Sequence, residues 1–217
     1  MRGRFIAAIL VAGFLERVPA QSVSGDYRPP TVGIMLSFEH KPSGYYLQRL
    51  QRDVEAIFEP SHLSLRWEVF SPNRRPGSYS RAIVVNVRGG CGSGRVYDAE
   101  PNREPHVVLG WTIVNDGEVI PHAAIDCDRI AAVVAAARTN LIDRHLLPGL
   151  YHRLTARVLA HELMHALLRS SDHNTSDCLK TPLRLADLLA PARLSSHNLQ
   201  ALREVGRPAS RVLAQTP

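Results

Sequence analysis

The stretch from residue 154 to residue 173 reads LTARVLAHELMHALLRSSDH, and its spacing predicts a helix that binds a metal ion. His161 and His165 are four residues apart, so on a helix their imidazole rings lie one turn apart on the same face and can bind one ion. Glu162 lies about 100° around the helix from His161, within reach of a water molecule on that ion. The pattern HExxH therefore predicts two metal ligands and a catalytic base.

His173 is the candidate for the third metal ligand. Residues 170–172, Ser-Ser-Asp, end the predicted helix, so the chain turns where a third ligand has to fold back. Three protein ligands leave the fourth position of a tetrahedral zinc ion open for water, which is typical of catalytic zinc sites. A carboxylate can take the place of His173, and the alternatives are Asp172, Asp177, Asp187 and Glu204.

The residues that flank HExxH are apolar on most sides of the predicted helix, which covers about 150–169. Pro148-Gly149 is interpreted as a break before this helix. Buried His and Glu side chains are costly without partners, and a metal ion is the simplest shared partner for two histidines. A surface helix with two solvated histidines is the alternative interpretation of the bare motif.

Apolar periodicity predicts most of the other elements, in the order strand, helix, strand, strand, hairpin, helix. Asn115-Asp116-Gly117 lies between two apolar runs and is a strong hairpin signal, and Asp126 is expected to cap the helix that follows. Shorter helices are expected over 140–147, around 183–189 and over 197–205. The ranges predicted before the metal helix are about 32–38, 44–58, 63–69, 83–87, 107–125 and 127–138.

This order of elements favours an α+β fold, in which two long helices back a twisted mixed sheet. Residues 21–169 are predicted to form an upper catalytic lobe that includes the metal helix. Residues 170–217 are predicted to form a small, mainly helical lower lobe, which holds the third ligand and closes the cleft.

The first twenty residues are typical of a secretory signal peptide. Arg2 and Arg4 precede an apolar run over 5–15, and residues 18–20, Val-Pro-Ala, offer small side chains for cleavage before Gln21. The apolar run is too short to span a membrane. The mature protein is therefore expected to be secreted or periplasmic.

Charge and hydropathy argue against two classes of partner. Removing residues 1–20 lowers the formal net charge from +6 to +4, because this segment holds three arginines and one glutamate. The remaining arginines are scattered rather than grouped with aromatic residues, which argues against nucleic acid. No later stretch has about 18 consecutive apolar residues, so no membrane association is expected after cleavage. The oligomeric state is not predicted.

Three cysteines predict one disulfide in an exported protein, with one thiol left over. Cys91 with Cys127 is the favoured pair, since both lie outside the metal segment, but the sequence leaves the pairing open. Cys178 lies five residues past His173. Its thiolate is a possible zinc ligand, although a packed or disulfide-bonded cysteine is the more frequent case.

Residues 150–180 resemble the metzincin clan of zinc endopeptidases, whose signature is HExxHxxGxxH. His161, Glu162 and His165 match this signature residue by residue. The resemblance implies a Zn²⁺ cofactor, a peptide or protein substrate, and Glu162 as general base. It also implies an edge strand above the cleft that binds the substrate backbone, for which the 106–125 hairpin is the counterpart.

The chain departs from the metzincin pattern at three points. Ser171 occupies the place of the third histidine, and His173 comes two residues later. Leu168 occupies the place of the glycine. The clan has a methionine turn beneath the metal, and here residues 177–180 lie in that region, with Leu179 as a substitute apolar base. The only methionines of the chain are Met1, Met35 and Met164.

The sequence thus predicts a secreted zinc-dependent metallopeptidase with His161, His165 and His173 as metal ligands. Two alternatives remain open. One is a non-catalytic secreted binding module that retains the fold, against which Glu162 argues because a carboxylate there is not needed to hold a metal. The other is a different zinc hydrolase, such as an amidase or a deacetylase.

Overall fold

The structure is a computed structural model. It describes residues 31–71, 77, 79–92, 94–102, 104, 107–137, 143–173, 178–179 and 190–205. The predicted signal peptide, the helix predicted around 183–189, and Asp177 and Asp187 lie outside the described residues. The division into an upper and a lower lobe stays a prediction.

Among the described residues, five strands form one mixed sheet, as predicted for an α+β fold. The strands are β1 (Thr31–Phe38), β2 (Ser64–Val69), β3 (Arg81–Arg88), β4 (Gly110–Asn115) and β5 (Glu118–Asp126). Their order across the sheet is β2-β1-β3-β5-β4. The first four strands in this order run parallel, and β4 lies at the edge, antiparallel to β5.

Two of the described helices begin at side-chain caps. The Ser43 side chain accepts a hydrogen bond from the backbone N–H of Tyr46, and Asp126 accepts one from Arg129, as predicted for that cap. Short 3₁₀ turns cover Glu59–Ser61 and Arg144–Leu146. The α-helices are α1 (Gly44–Phe58), α2 (Arg95–Asp98), α3 (Cys127–Ala136), α4 (Leu147–Leu168) and α5 (Ser196–Val205).

The β4–β5 hairpin is confirmed, and its turn follows from two residues with positive φ. Asp116 has φ 50° and Gly117 has φ 80°, the combination that matches the twist of a two-residue hairpin. β4 begins at Gly110, three residues later than predicted. Gly110 pairs with Ile125, and the backbone N–H of Asp126 donates to the carbonyl of Leu109. Asp126 is both the last residue of β5 and the cap of α3, so the pairing ends there.

The helix α4 is longer than predicted, and the predicted break before it is wrong. It begins at Leu147 and places Pro148 in its first turn, where the missing N–H of proline costs no hydrogen bond. A short helix was predicted over 140–147. The part of it that the structure describes is a 3₁₀ turn that leads directly into α4.

Among the described residues, none of the helices combines the length and the apolar character that a membrane span requires.

Burial of α4 on nearly every side fixes the position of the HExxH motif. This helix packs against α1 and α3 and against the sheet at β5 and β4. Alternate residues of β1 and β3 join α1 and α4 in the apolar core: Val32, Ile34, Leu36, Ile83, Val85 and Val87. A polar motif in the middle of such a helix therefore lies inside the molecule.

A disulfide joins Cys91 to Cys127, the pairing that the sequence favoured, and Cys178 is buried outside this bond. The bond closes a loop with a sequence separation of 36 residues. The whole β4–β5 hairpin lies within this loop. The disulfide therefore limits the conformations that the hairpin region can adopt in the unfolded chain.

Replacing both Cys91 and Cys127 by alanine should lower the free energy of unfolding by about 2–4 kcal/mol, because the unfolded chain regains the entropy of the open loop. Urea unfolding measures this change. A reductant should destabilise the wild type and leave the double variant unaffected. An unchanged midpoint in the double variant would contradict the structural role of the bond.

Candidate metal centre

Three histidine rings converge at the C-terminal end of α4. The Nε2 atom of His161 lies 3.0 Å from that of His165 and 3.3 Å from that of His173, and the last two are also 3.3 Å apart. His161 and His165 are buried, whereas His173 is exposed. The structure therefore brings together the three residues that the sequence singled out as metal ligands.

Two backbone carbonyls set the tautomers of the buried rings. Nδ1 of His161 lies 2.9 Å from the carbonyl oxygen of Cys178, and Nδ1 of His165 lies 2.6 Å from that of Ser170. A carbonyl oxygen only accepts hydrogen bonds, so each Nδ1 carries the proton. Each Nε2 then presents its lone pair to the centre of the cluster, as metal-binding histidines do.

The spacing of these nitrogens, 3.3 Å for two pairs and 3.0 Å for the third, is close to that around a small tetrahedral cation. A metal–nitrogen distance of about 2.0–2.1 Å in tetrahedral geometry separates the nitrogen ligands by about 3.3–3.4 Å. Facing lone pairs repel one another unless they share a positive charge. A proton can bridge two of the three atoms, whereas a metal ion bonds all three. Burial lowers the pKa of His165, which favours the neutral form of the ring, the form that binds metals.

A compact turn after α4 carries His173 back to the helix. Arg169 has φ 51° and ends α4, and the N–H of Ser170 then donates to the carbonyl of His165. The Ser170 hydroxyl donates a hydrogen bond to the carboxylate of Asp172. The hydroxyl oxygen of Ser170 also accepts a hydrogen bond from the backbone N–H of Asp172. The predicted reversal of the chain at this point is confirmed.

The helix continues through Leu168, which occupies the place of the glycine in the metzincin signature. The left-handed residue is Arg169, one position later.

The carboxylates considered as a third ligand do not enter this cluster where they are described. Asp172 is exposed and bonded to Ser170, and Glu204 is exposed on α5. Across the described ranges, the group that can hold a metal ion consists of the three histidines. Cys178 contributes its carbonyl to His161, and its neighbour Leu179 is buried in the apolar core.

Glu162 is a buried carboxyl group held against the edge strand. It is 5% exposed, and burial raises its pKa to about 7. The hydroxyl of Thr112 on β4 donates a hydrogen bond to the Oε2 atom of Glu162 at 2.7 Å. This hydrogen bond lowers the pKa of Glu162 and so opposes the effect of burial. A cation bound by the histidines would also favour the ionised form. The arrangement provides a proton acceptor beside a candidate metal site.

Sequence reasoning missed two residues of this site, Gly110 and Thr112. They lie two residues apart on β4, so their Cα–Cβ directions point to the same face of the sheet, towards α4. The sequence signal that could have indicated these two residues is the pattern Gly-x-Thr in a strand predicted to lie above the cleft. Only the fold identifies the partner on α4.

His173→Ala should lower the affinity for a divalent metal ion by more than about 100-fold, because it removes a ligand and not merely an outer hydrogen bond. Isothermal titration with Zn²⁺ at constant pH measures the affinity. His197→Ala is the matched control, since His197 is exposed on α5, and its affinity should equal that of the wild type. Unchanged affinity in His173→Ala would place the third ligand elsewhere.

Comparisons with known proteins assign no family to the chain. No family model matches it, and no curated protein matches it. Among solved structures, it is similar to the crystal structure of archaemetzincin from Methanopyrus kandleri, with a TM-score of 0.48 and 12% identity. The match covers 81% of this chain and 95% of that chain. A likeness of this size carries no conclusion about activity.

Proposed function

We propose that this protein is a zinc-dependent metallopeptidase that hydrolyses peptide bonds. The observation that carries the proposal is the meeting of three Nε2 atoms, from His161, His165 and His173, at the end of a helix that carries the buried carboxyl of Glu162 next to His161. Binding a metal requires the histidines, and hydrolysis requires in addition a base next to it.

Zinc is the ion that this donor set favours. Three neutral imidazoles and an open fourth position are the ligands of many catalytic zinc sites. The exposed ring of His173 leaves the cluster accessible to solvent on that side. A zinc ion held there supplies Lewis-acid chemistry, which lowers the pKa of water at the open position towards about 7 and polarises a carbonyl group.

Glu162 acts as the general base in this proposal. It accepts a proton from the attacking water and later donates it to the leaving amine. Its carboxylate has two oxygens, and Thr112 engages Oε2. We assign the other oxygen, Oε1, to the water.

The edge strand favours an extended peptide as the substrate. β4 lies at the end of the strand order, next to the site through the contact between Thr112 and Glu162. Within the described part of the chain it pairs with β5 along one edge. Its other edge can accept a peptide as an additional strand, with main-chain hydrogen bonds that do not depend on the peptide's side chains.

The alternatives differ from a peptidase in ways that activity assays separate. An amidase or deacetylase uses the same metal chemistry on a smaller substrate, for which the outer edge of β4 has no role. A binding module has no use for a buried Glu162, whose burial is costly. A panel of peptides, acetylated peptides and small amides distinguishes the three.

We also propose that the protein works outside the cytoplasm, secreted or in a periplasm. The disulfide between Cys91 and Cys127 supports this location, because such bonds persist in oxidising compartments. The basic and apolar start of the sequence supports it as well.

Glu162→Gln should bind zinc with unchanged stoichiometry and lose at least about 100-fold in turnover, because the amide cannot accept the proton of water. Cleavage of a quenched peptide library, with and without a chelator, measures this loss. Glu204→Gln makes the same exchange at an exposed position and should keep full activity and zinc. Chelator-sensitive cleavage that survives in Glu162→Gln would refute the assignment of the base.

A further inference from the structure

We propose that Thr112 is a positioning residue for Glu162. Its hydroxyl holds the carboxylate in the orientation needed to accept a proton, and Gly110 makes room for this contact. The inference rests on the proposed hydrolytic function and extends it, because it assigns a task to the strand that faces the motif.

The hydrogen bond between Thr112 and Glu162 is well placed for this task. Oγ1 of Thr112 lies 2.7 Å from Oε2 of Glu162 and 3.2 Å from the backbone oxygen of the same residue. A hydroxyl has one proton to donate, and the carboxylate is the nearer and stronger acceptor. Thr112 thus holds Oε2 of Glu162 in place, which leaves Oε1 to accept the proton of the water.

The absence of a side chain at Gly110 allows β4 to approach the stem of Glu162. A Cβ atom at Gly110 would lie 3.0 Å from Cγ of Glu162, 2.9 Å from Cγ1 of Val158 and 3.0 Å from the carbonyl oxygen of Ala124. These distances are shorter than ordinary carbon contacts. The strand therefore confines Glu162 at two points, its methylene stem and its carboxylate.

Such confinement matters because Glu162 has three rotatable side-chain bonds. A general base must come within about 2.6–3.2 Å of the atom that carries the proton. A displacement of about 1 Å can lower the rate by about 100-fold. Backbone pairing of Thr112 with Ala123 holds the hydroxyl on the sheet, so the sheet and the helix together define where the carboxylate lies.

The test compares Thr112→Val, which removes the hydroxyl at nearly constant size, with Thr112→Ser, which keeps it. Thr155→Val is the matched control, since Thr155 is a buried threonine of α4 whose hydroxyl donates to the carbonyl of Tyr151 at 2.8 Å. All variants are loaded with zinc, and zinc content, kcat and KM are measured on one chelator-sensitive peptide.

We expect Thr112→Val to keep zinc and KM and to lose about 10- to 100-fold in kcat, as for a displaced base. Thr112→Ser should recover most of this loss, and Thr155→Val should match the wild type. A readout without turnover is the ¹³C resonance of the Glu162 carboxyl in metal-free protein, identified by its absence in Glu162→Gln. The chemical shift of this resonance should change in Thr112→Val and should equal the wild-type value again in Thr112→Ser.

A wild-type kcat in Thr112→Val, or a carboxyl resonance that does not move, would overturn the inference and leave the proposed function standing. Equal losses in Thr112→Val and Thr112→Ser, or in Thr155→Val, would also overturn it, since they indicate a packing effect. Absence of peptidase activity in the wild type would instead refute the proposed function and this role with it. Thr112→Ala replaces Thr112→Val if the latter does not fold.

Discussion

The close approach of three imidazole nitrogens, two of which present lone pairs, is the constraint that the site of this protein has to meet. Backbone carbonyls hold the protons of His161 and His165 away from the cluster, so neither ring can relieve the repulsion between their lone pairs by turning its N–H inward. A bound cation turns this repulsion into three bonds. A cation bound there, as proposed, should therefore stabilise the folded state by mass action.

Two kinds of support hold the cluster together. Packing of α4 inside the molecule fixes His161 and His165, whereas a turn of a few residues fixes His173. The turn uses Arg169 in a left-handed conformation, which costs a residue with a side chain about 1 kcal/mol. The sequence position of a ligand on a turn can differ when the length of the turn differs. The spacing of the two ligands on the helix cannot differ, because both side chains must lie on the same face.

Local rules were sufficient for the parts of the site that lie close together in sequence. Helical spacing predicts the pairing of His161 with His165, and the helix end predicts the return of His173. The prediction that α4 begins after Pro148 and Gly149 is wrong, because proline is unfavourable inside a helix but favourable in its first turn. Thr112 could not be assigned, since its contact with Glu162 spans 50 residues and depends on which strand occupies the sheet edge.

X-ray absorption at the zinc edge of the zinc-loaded protein tests the three-histidine site most directly. We expect a shell of three nitrogen atoms and one oxygen atom at about 2.0–2.1 Å, with the outer scattering typical of imidazole rings. A sulfur atom at about 2.3 Å would bring Cys178 into the site. That result, or a shell dominated by oxygen, would contradict the coordination on which the proposed chemistry depends.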